Sequence, residues 1–234
     1  MSRHGLMTVL SMLCNAAWMM AAHGNMAIDR NIIYFEPGDP PSVDVTVANR
    51  NAEPLFVETQ VVEVLKPGTP EENRVTVTAD HDLPLLVSPG KLILGDGHKK
   101  LLRIVNLAGH GKSERVFRVT VRPVPAPAET KSSGIRLFVA YEVLVIIAPR
   151  EAVPDLRSHW AERQLVFENH GNTNVLLHSG KQCPGVAATP KGTTCVAFRG
   201  TRLYPGNTWT LRTPYQTPVE FVIAEGEKSA RRTF

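Results

Sequence analysis

An apolar run over residues 134–149 (GIRLFVAYEVLVIIAP) restricts the fold of this chain more than any other segment. β-Branched and aromatic residues dominate it, so the sequence predicts one very long β-strand. In its first half Ile135, Leu137, Val139 and Tyr141 occupy alternate positions and therefore share one face. A strand this apolar must either be buried or be waiting for a partner.

The residues on either side of that first half differ in character. Residues 123–133 are rich in proline and then in small polar side chains, a composition suited to a loop and not to covering an apolar strand. Residues 143–147 do not alternate and are predicted to be buried structure that leads to a linker. A long apolar strand that begins in a loop suggests a protein that lends a strand to another chain.

The first residues have the pattern of an export signal. A basic start precedes an apolar run from Leu6 to about Ala22, which is too short to favour a retained membrane anchor, the alternative interpretation. Ala22 and Gly24 supply small residues at the spacing that a signal peptidase recognises. We therefore expect residues 1–24 to be a cleaved signal peptide.

Removal of the signal leaves two cysteines, Cys183 and Cys195, in an oxidising compartment. They are predicted to form one disulfide that closes a loop of about a dozen residues and stabilises the fold by ~3 kcal/mol. A metal-binding pair is the alternative, but no histidine or further cysteine lies at ligand spacing nearby.

Period-2 apolar patterns dominate the mature chain, and no segment has the pattern of a helix. Short strands separated by turns indicate an antiparallel sandwich of the immunoglobulin type, about 100 residues per domain. The fold class is therefore all-β, with one domain over residues 25–153 and a second β-sandwich over 154–234. The strands predicted for the first domain, before the long one, cover residues 27–35, 43–47, 56–65, 75–78, 85–87, 91–94, 101–105 and 116–121.

The second domain repeats the pattern after a linker with proline at each end, residues 149–154. Strands at 165–168 and 175–177 flank residues 169–172 (NHGN), which are predicted to form a hairpin turn. A domain of only about 80 residues has a small core, so the disulfide has a structural role there.

Charge and motifs argue against two classes of function. The formal charge of +4 is spread along the chain, not clustered with aromatic residues, so no nucleic-acid partner is expected. Nucleophile elbows, glycine-rich phosphate loops and clustered carboxylates are all lacking in the sequence, so we expect neither an enzyme nor a cofactor.

Several short motifs occur in a specific order along the mature chain. They are residues 28–30 (IDR), 86–94 (LVSPGKLIL), 101–104 (LLRI), 114–119 (ERVFRV), 169–175 (NHGNTNV) and 203–206 (LYPG). In this order they resemble the PapD-like periplasmic chaperones of chaperone–usher pilus assembly. The paired cysteines and residues 202–209 (RLYPGNTW) resemble the alternate, class-5-like branch of that family.

The resemblance implies two immunoglobulin-like domains set at an angle, with a cleft for pilus or fimbrial subunits, and delivery to an outer-membrane usher. Subunits lack their own final strand, and the chaperone inserts its long strand in donor-strand complementation. Ile135, Leu137, Val139 and Tyr141 are then the donor side chains. Ordinary core packing is the alternative for all four, and for Tyr141 the two interpretations are nearly even.

In the family a basic pair in the cleft holds the subunit's terminal carboxylate. Arg30 stands where the first member belongs, and guanidinium suits a bidentate carboxylate contact. The usual lysine position falls on Leu144, so the second member is missing. Arg118 and Arg122 alternate with Thr120 and are interpreted as a solvent-facing stripe.

Two questions stay open at this level. A pilus subunit or another immunoglobulin-like exported adhesin is the alternative function, although a subunit would carry its donor segment at the N-terminus and not in mid-chain. An exposed donor strand also predicts capping in the free chaperone, either by self-association as a dimer or by the proline-rich loop folding back.

Overall fold

The computed structural model describes residues 26–78, 83–125, 138–185, 194–226 and 228–234. Within these ranges the regular structure is β-strand throughout, as the patterning predicts. The same ranges contain no helix long and apolar enough to cross a membrane. The predicted signal peptide, residues 1–24, lies outside the described residues.

The first domain is a sandwich of two sheets. One sheet has the order β1-β3-β8-β6, and the other has β2-β10-β9-β4-β5, with β7 also pairing with β4. Their strands are β1 (Met26–Ile28), β2 (Ile32–Phe35), β3 (Ser42–Asn49), β4 (Leu55–Leu65), β5 (Asn73–Thr76), β6 (Leu85–Ser88), β7 (Lys91–Leu94), β8 (Lys99–Asn106), β9 (Arg115–Val124) and β10 (Tyr141–Ile147).

The single strand predicted over residues 27–35 is wrong, because the chain changes sheet in the middle of it. β1 pairs antiparallel with β3, whereas β2 pairs parallel with β10 in the other sheet. Asp29 stabilises the crossing, since its carboxylate accepts a hydrogen bond from the Thr46 amide at 2.9 Å. Both halves face the same core, but the inward side chains change from even positions (Met26 and Ile28) to odd positions (Ile33 and Phe35), so the alternation breaks at the crossing.

The very long strand predicted over residues 134–149 is also shorter than expected. β10 begins at Tyr141, and residues 138–140 precede it without strand pairing; residues 134–137 lie outside the described part. Tyr141 is opposite Val121, so the same register would place Val139 opposite Pro123. Proline has no amide hydrogen to donate to a neighbouring strand, which explains why the pairing ends there.

Residues 143–147 are buried as predicted, and the structure shows why they do not alternate. Val143, Val145 and Ile147 face the core between the two sheets. Leu144 and Ile146 face the opposite side, where they pack with Tyr34 and with Tyr204 of the second domain in a separate apolar cluster that also holds Val64 and Val116. Both faces of this half-strand are therefore covered.

The second domain is a smaller sandwich of two sheets, with orders β11-β12-β15 and β14-β13-β16-β17. The strands are β11 (Leu156–Ala161), β12 (Gln164–Asn169), β13 (Val175–Gln182), β14 (Val196–Leu203), β15 (Thr208–Arg212), β16 (Val219–Glu225) and β17 (Lys228–Thr233). Its core centres on Phe167, which contacts the rings of Trp209, Phe221 and Phe234. The predicted Cys183–Cys195 disulfide is present, with an S–S distance of 2.01 Å.

The predicted hairpin at residues 169–172 is wrong. β12 and β13 belong to different sheets, so this segment connects the two layers of the sandwich. Asn172 instead bridges to the first domain and the linker, because its side-chain amide donates to the carbonyls of Lys112 and Glu151 at 2.9 and 2.8 Å. Its backbone carbonyl also accepts from the Glu114 amide at 3.0 Å.

Glu114 joins the two domains through its carboxylate. One oxygen accepts from the Asn174 amide and the Asn174 side chain, both at 2.7 Å, and from the Thr173 hydroxyl at 3.2 Å. The other oxygen is buried without a hydrogen-bond partner among the described residues. Burial raises the pKa of Glu114, against the hydrogen bonds from Asn174 and Thr173 and the nearby charge of Arg202.

We expect Glu114→Ala to lower the free energy of unfolding by roughly 2–3 kcal/mol, because it leaves three donors of the second domain unpaired. Glu114→Gln keeps the accepting oxygen and should be much closer to wild type at neutral pH. The pKa of Glu114 is higher in the folded protein than in the unfolded chain. The free energy of unfolding of the wild type should therefore fall as the pH rises from the ordinary glutamate pKa through the raised one. The Gln variant should lack this pH dependence. Urea unfolding over a pH series measures both effects, and equal losses in the two variants would contradict this role for the carboxylate.

Candidate functional site

The backbone of β10 has partners on both sides only along its second half. The Leu144 amide donates to the Asn31 carbonyl at 2.9 Å, and the Ala148 amide donates to Phe35 at 3.0 Å. Even-numbered residues of β10 therefore direct their amide and carbonyl groups towards β2. Odd-numbered residues direct theirs towards β9, because these directions alternate along a strand.

Glu142 lies at the point where this pairing stops. β2 begins opposite Leu144, so continuing the register would place Arg30 beside Glu142. The chain has already turned towards β3 at that point, and Glu142 makes no backbone hydrogen bond on this side within the described ranges. The structure thus has an open sheet edge at Glu142, with unpaired amide and carbonyl groups.

The four predicted donor residues fall in three different places. Ile135 and Leu137 lie outside the described residues. Val139 is on the surface, 43% exposed, three residues before Glu142 at the open edge. Tyr141 is half-buried against the core of its own domain, and its hydroxyl donates to the Met26 carbonyl at 2.8 Å.

Arg30, the predicted carboxylate anchor, lies beside the open edge. Its side chain is about half exposed, and its Nε is 3.8 Å from an Asp29 carboxylate oxygen. Asp44 is also near: its hydrogen bond to Arg103 lowers the pKa of this carboxyl, and the Arg30 charge acts in the same direction. Exposed ion pairs of this kind contribute little, so the Arg30 guanidinium can exchange its partner for an incoming anion.

Leu144, which occupies the usual lysine position, is buried against the second domain. Beside it, Arg74 contacts Glu142 at 3.1 Å and Glu72 at 3.3 Å, an ion-pair chain that the sequence analysis missed. Glu72 and Arg74 are close in sequence, but Glu142 is on β10, so no local pattern joins it to them. No cluster of three or more potential metal ligands is found in the described part of the chain.

A second surface feature lies near the end of β9. It is a groove of about 740 Å³ lined mainly by apolar side chains, among them Phe56, Ile93 and Val124. Ile93 is 52% exposed, which is unusual for isoleucine in a sandwich domain. Lys91 and Lys100 give the groove a basic rim.

Comparison with known proteins identifies the family. Residues 26–152 match the family model described as "Pili and flagellar-assembly chaperone, PapD N-terminal domain". The chain belongs to the PapD-like family of periplasmic pilus-assembly chaperones. Members of this family are not enzymes, in agreement with the sequence analysis.

Individual relatives support the assignment over the second domain as well. The chain is 25% identical over 182 residues to the probable fimbrial chaperone EcpE of Escherichia coli O157:H7, covering 74% of each protein. Its fold is similar to the class 5 fimbriae chaperone CfaA, with a TM-score of 0.64 at 20% identity, covering 89% of this chain and 98% of the other.

Similar folds also occur in complexes. A chain from a chaperone–tip adhesin complex of CFA/I fimbriae matches with a TM-score of 0.63 at 20% identity, covering 90% of this chain and 98% of that one. A chain from the Salmonella enterica SafA pilin–SafB chaperone complex matches with a TM-score of 0.58 at 18% identity, covering 91% and 96%. At these identities the likeness concerns the fold.

We expect Pro123→Val to extend the pairing of β9 and β10 past Tyr141, because valine supplies the missing amide hydrogen opposite Val139. In nuclear Overhauser spectra, the α-protons of Arg122 and Ala140 should come into contact in the variant but not in the wild type. Unchanged spectra would mean that proline is not what ends the strand.

Proposed function

We propose that this chaperone binds pilus subunits by donor-strand complementation at the open edge of β10. The observation that carries the proposal is the unpaired backbone of Glu142, three residues after the exposed side chain of Val139. Free amide and carbonyl groups can pair with a strand of the client, and an apolar side chain beside them can fill a pocket in it. Both requirements of β-augmentation thus occur together.

The donor side chains in this proposal are Ile135, Leu137 and Val139. Tyr141 completes the predicted set as the residue that holds the donor segment in place. Its side chain packs into its own domain, and its hydroxyl bonds to Met26. The donor segment therefore begins from a rigid base, which lowers the entropy lost when a client binds.

Arg30 is proposed to bind the terminal carboxylate of the subunit. Its position beside the open edge is supported by the bond between its chain neighbour Asn31 and the Leu144 amide. An exposed guanidinium with one weak acidic neighbour at 3.8 Å is available for a bidentate carboxylate contact.

Delivery to an outer-membrane usher completes the proposed function. The groove near Phe56 and Ile93 is the candidate surface for the usher, because it is apolar, exposed and continuous with Val124, from which the chain leads towards the donor segment. An usher bound there would lie close to the chain that leads into the donor segment, so its binding could depend on whether a client occupies that segment. In the absence of a client, self-association at the open edge would protect it, as would the preceding loop.

Domain organisation follows the same proposal. We place the signal peptide at residues 1–24, the donor-strand domain at 25–153 and the second domain at 154–234. The last strand of the first pair of sheets ends at Ile147 and the first strand of the second pair begins at Leu156, which supports a boundary between them.

We expect Leu137→Asp and Val139→Asp to reduce capture of a coexpressed subunit at least roughly tenfold, because a charge cannot enter an apolar pocket without losing its hydration. Leu101→Asp is the matched control, since Leu101 is 57% exposed on the other sheet of the same domain. Copurification from the periplasm with an affinity-tagged subunit gives the measurement. Capture by the Val139 variant at the level of the Leu101 variant would count against the donor assignment.

Arg30→Ala should weaken capture by removing the carboxylate contact, while the free protein keeps its stability because the ion pair with Asp29 is exposed. The same copurification assay, together with urea unfolding of the free variant, separates binding from folding. Wild-type capture by this variant would exclude Arg30 as the anchor.

A further inference from the structure

Arg118 occupies a place that the sequence analysis did not anticipate. It lies on β9 in the middle of a row of outward-facing positions, directly between Leu144 on β10 and Val62 on β4. The side chain is half-buried, so it does not belong to a solvent-facing stripe, whereas Arg122 two positions along is exposed. The cation therefore lies in the apolar surroundings of the domain junction.

The other arginines of this sheet face have partners. Arg122 contacts Glu58 at 3.2 Å, and Arg74 contacts Glu72 and Glu142. On the opposite face of the sheet, Arg115 makes a bidentate contact with Glu63 at 2.8 and 2.9 Å. Arg118 has neither a hydrogen bond nor an ion pair within 4.0 Å among the described residues. It is thus a half-buried guanidinium whose donors are unused.

Nearby acidic groups do not compensate for this. The amide of Gly68 and the guanidinium of Arg74 donate to Glu72 and hold the pKa of that carboxyl below its ordinary value, with the Arg118 charge adding to the effect from farther away. On the side of the second domain, burial raises the pKa of the Tyr204 hydroxyl, while Arg202 and Arg118 oppose that rise. Arg118 therefore interacts electrostatically with groups of both domains, but Glu72 and Glu142 contact Arg74 and neither lies within 4.0 Å of Arg118.

A partly desolvated cation without a counter-anion costs free energy in the unbound protein. That cost disappears when a ligand supplies the anion. A carboxylate is the anion that fits a planar guanidinium in two parallel hydrogen bonds. The β10 position directly beside Arg118 is the buried Leu144 and carries no charge. Arg118 lies on β9, on one side of β10, and Arg30 directly precedes the β2 pairing on the other side.

We propose that Arg118 binds the terminal carboxylate of the subunit together with Arg30, so that the second cation of the anchor is carried by β9 and not by the donor strand. This inference rests on the proposed function. Joint binding of the carboxylate makes Arg30 and Arg118 selective for a free C-terminus. A subunit extended beyond its last residue would place an amide where the carboxylate should lie.

The test uses full-length chaperone and, as probe, a pilus subunit encoded beside the chaperone's own gene. The subunit is prepared with its native C-terminus and with two added glycines. The chaperone variants are Arg118→Gln, Arg118→Lys and the matched control Arg122→Gln, which removes the same charge from the same strand. Copurified complex and the dissociation rate are measured for each pair.

Arg118→Gln should weaken binding of the native subunit about ten- to a hundredfold, the effect of losing charge-assisted hydrogen bonds. Arg118→Lys should recover part of the loss, and Arg122→Gln should bind like wild type. The extended subunit should bind wild-type chaperone weakly, and its affinity should fall no further with the Arg118→Gln variant. Urea unfolding should show that free Arg118→Gln is at least as stable as wild type.

Two results would overturn the inference while leaving the proposed function intact. In the first, Arg118→Gln binds the native subunit as well as Arg122→Gln does. In the second, the free Arg118→Gln variant is destabilised and the extended subunit loses as much affinity as the native one, which makes Arg118 a domain-packing residue. If wild-type chaperone captures no subunit in either form, the proposed function fails and this inference with it.

Discussion

The pairing of β10 with β9 is the interaction on which the rest of the site depends. It fixes which residues of β10 direct their amide and carbonyl groups towards β9 and which direct them to the opposite side. Val143 and Val145 are therefore bonded to β9, whereas the amide and carbonyl groups of Glu142 are left unpaired. Continued past Tyr141, the same register would place Pro123 opposite Val139, where the pairing has already ended. The start of β10 at Tyr141 and the open edge at Glu142 thus follow from one ladder of hydrogen bonds.

The rigidity of that ladder comes from burial on both faces. Val145 faces the core between the sheets, whereas Ile146 faces the cluster shared with Tyr204. Glu114 and Asn174 tie the second domain to the same region through charge-assisted hydrogen bonds. The second domain therefore supports the strand whose open end we propose to bind the client.

Much of this fold could be predicted from the sequence, because alternation, turn residues and paired cysteines act locally. The strands around Val45, Val57 and Phe167, the buried run at residues 143–147 and the Cys183–Cys195 disulfide all follow from such patterns. The change of sheet near Asp29 and the interdomain role of Asn172 could not, since both depend on which distant strand is the neighbour. Arg118 was misread for the same reason, because its burial is set by Leu144 and Val62 on other strands.

The central claim is that a client strand pairs with the open edge of β10, and residue-resolved amide hydrogen exchange tests it most directly. The Glu142 amide should exchange fast in the free chaperone and become protected in the complex with a subunit. The Val143 and Val145 amides, already bonded to β9, should change little. An unprotected Glu142 amide in a stable complex would contradict the account.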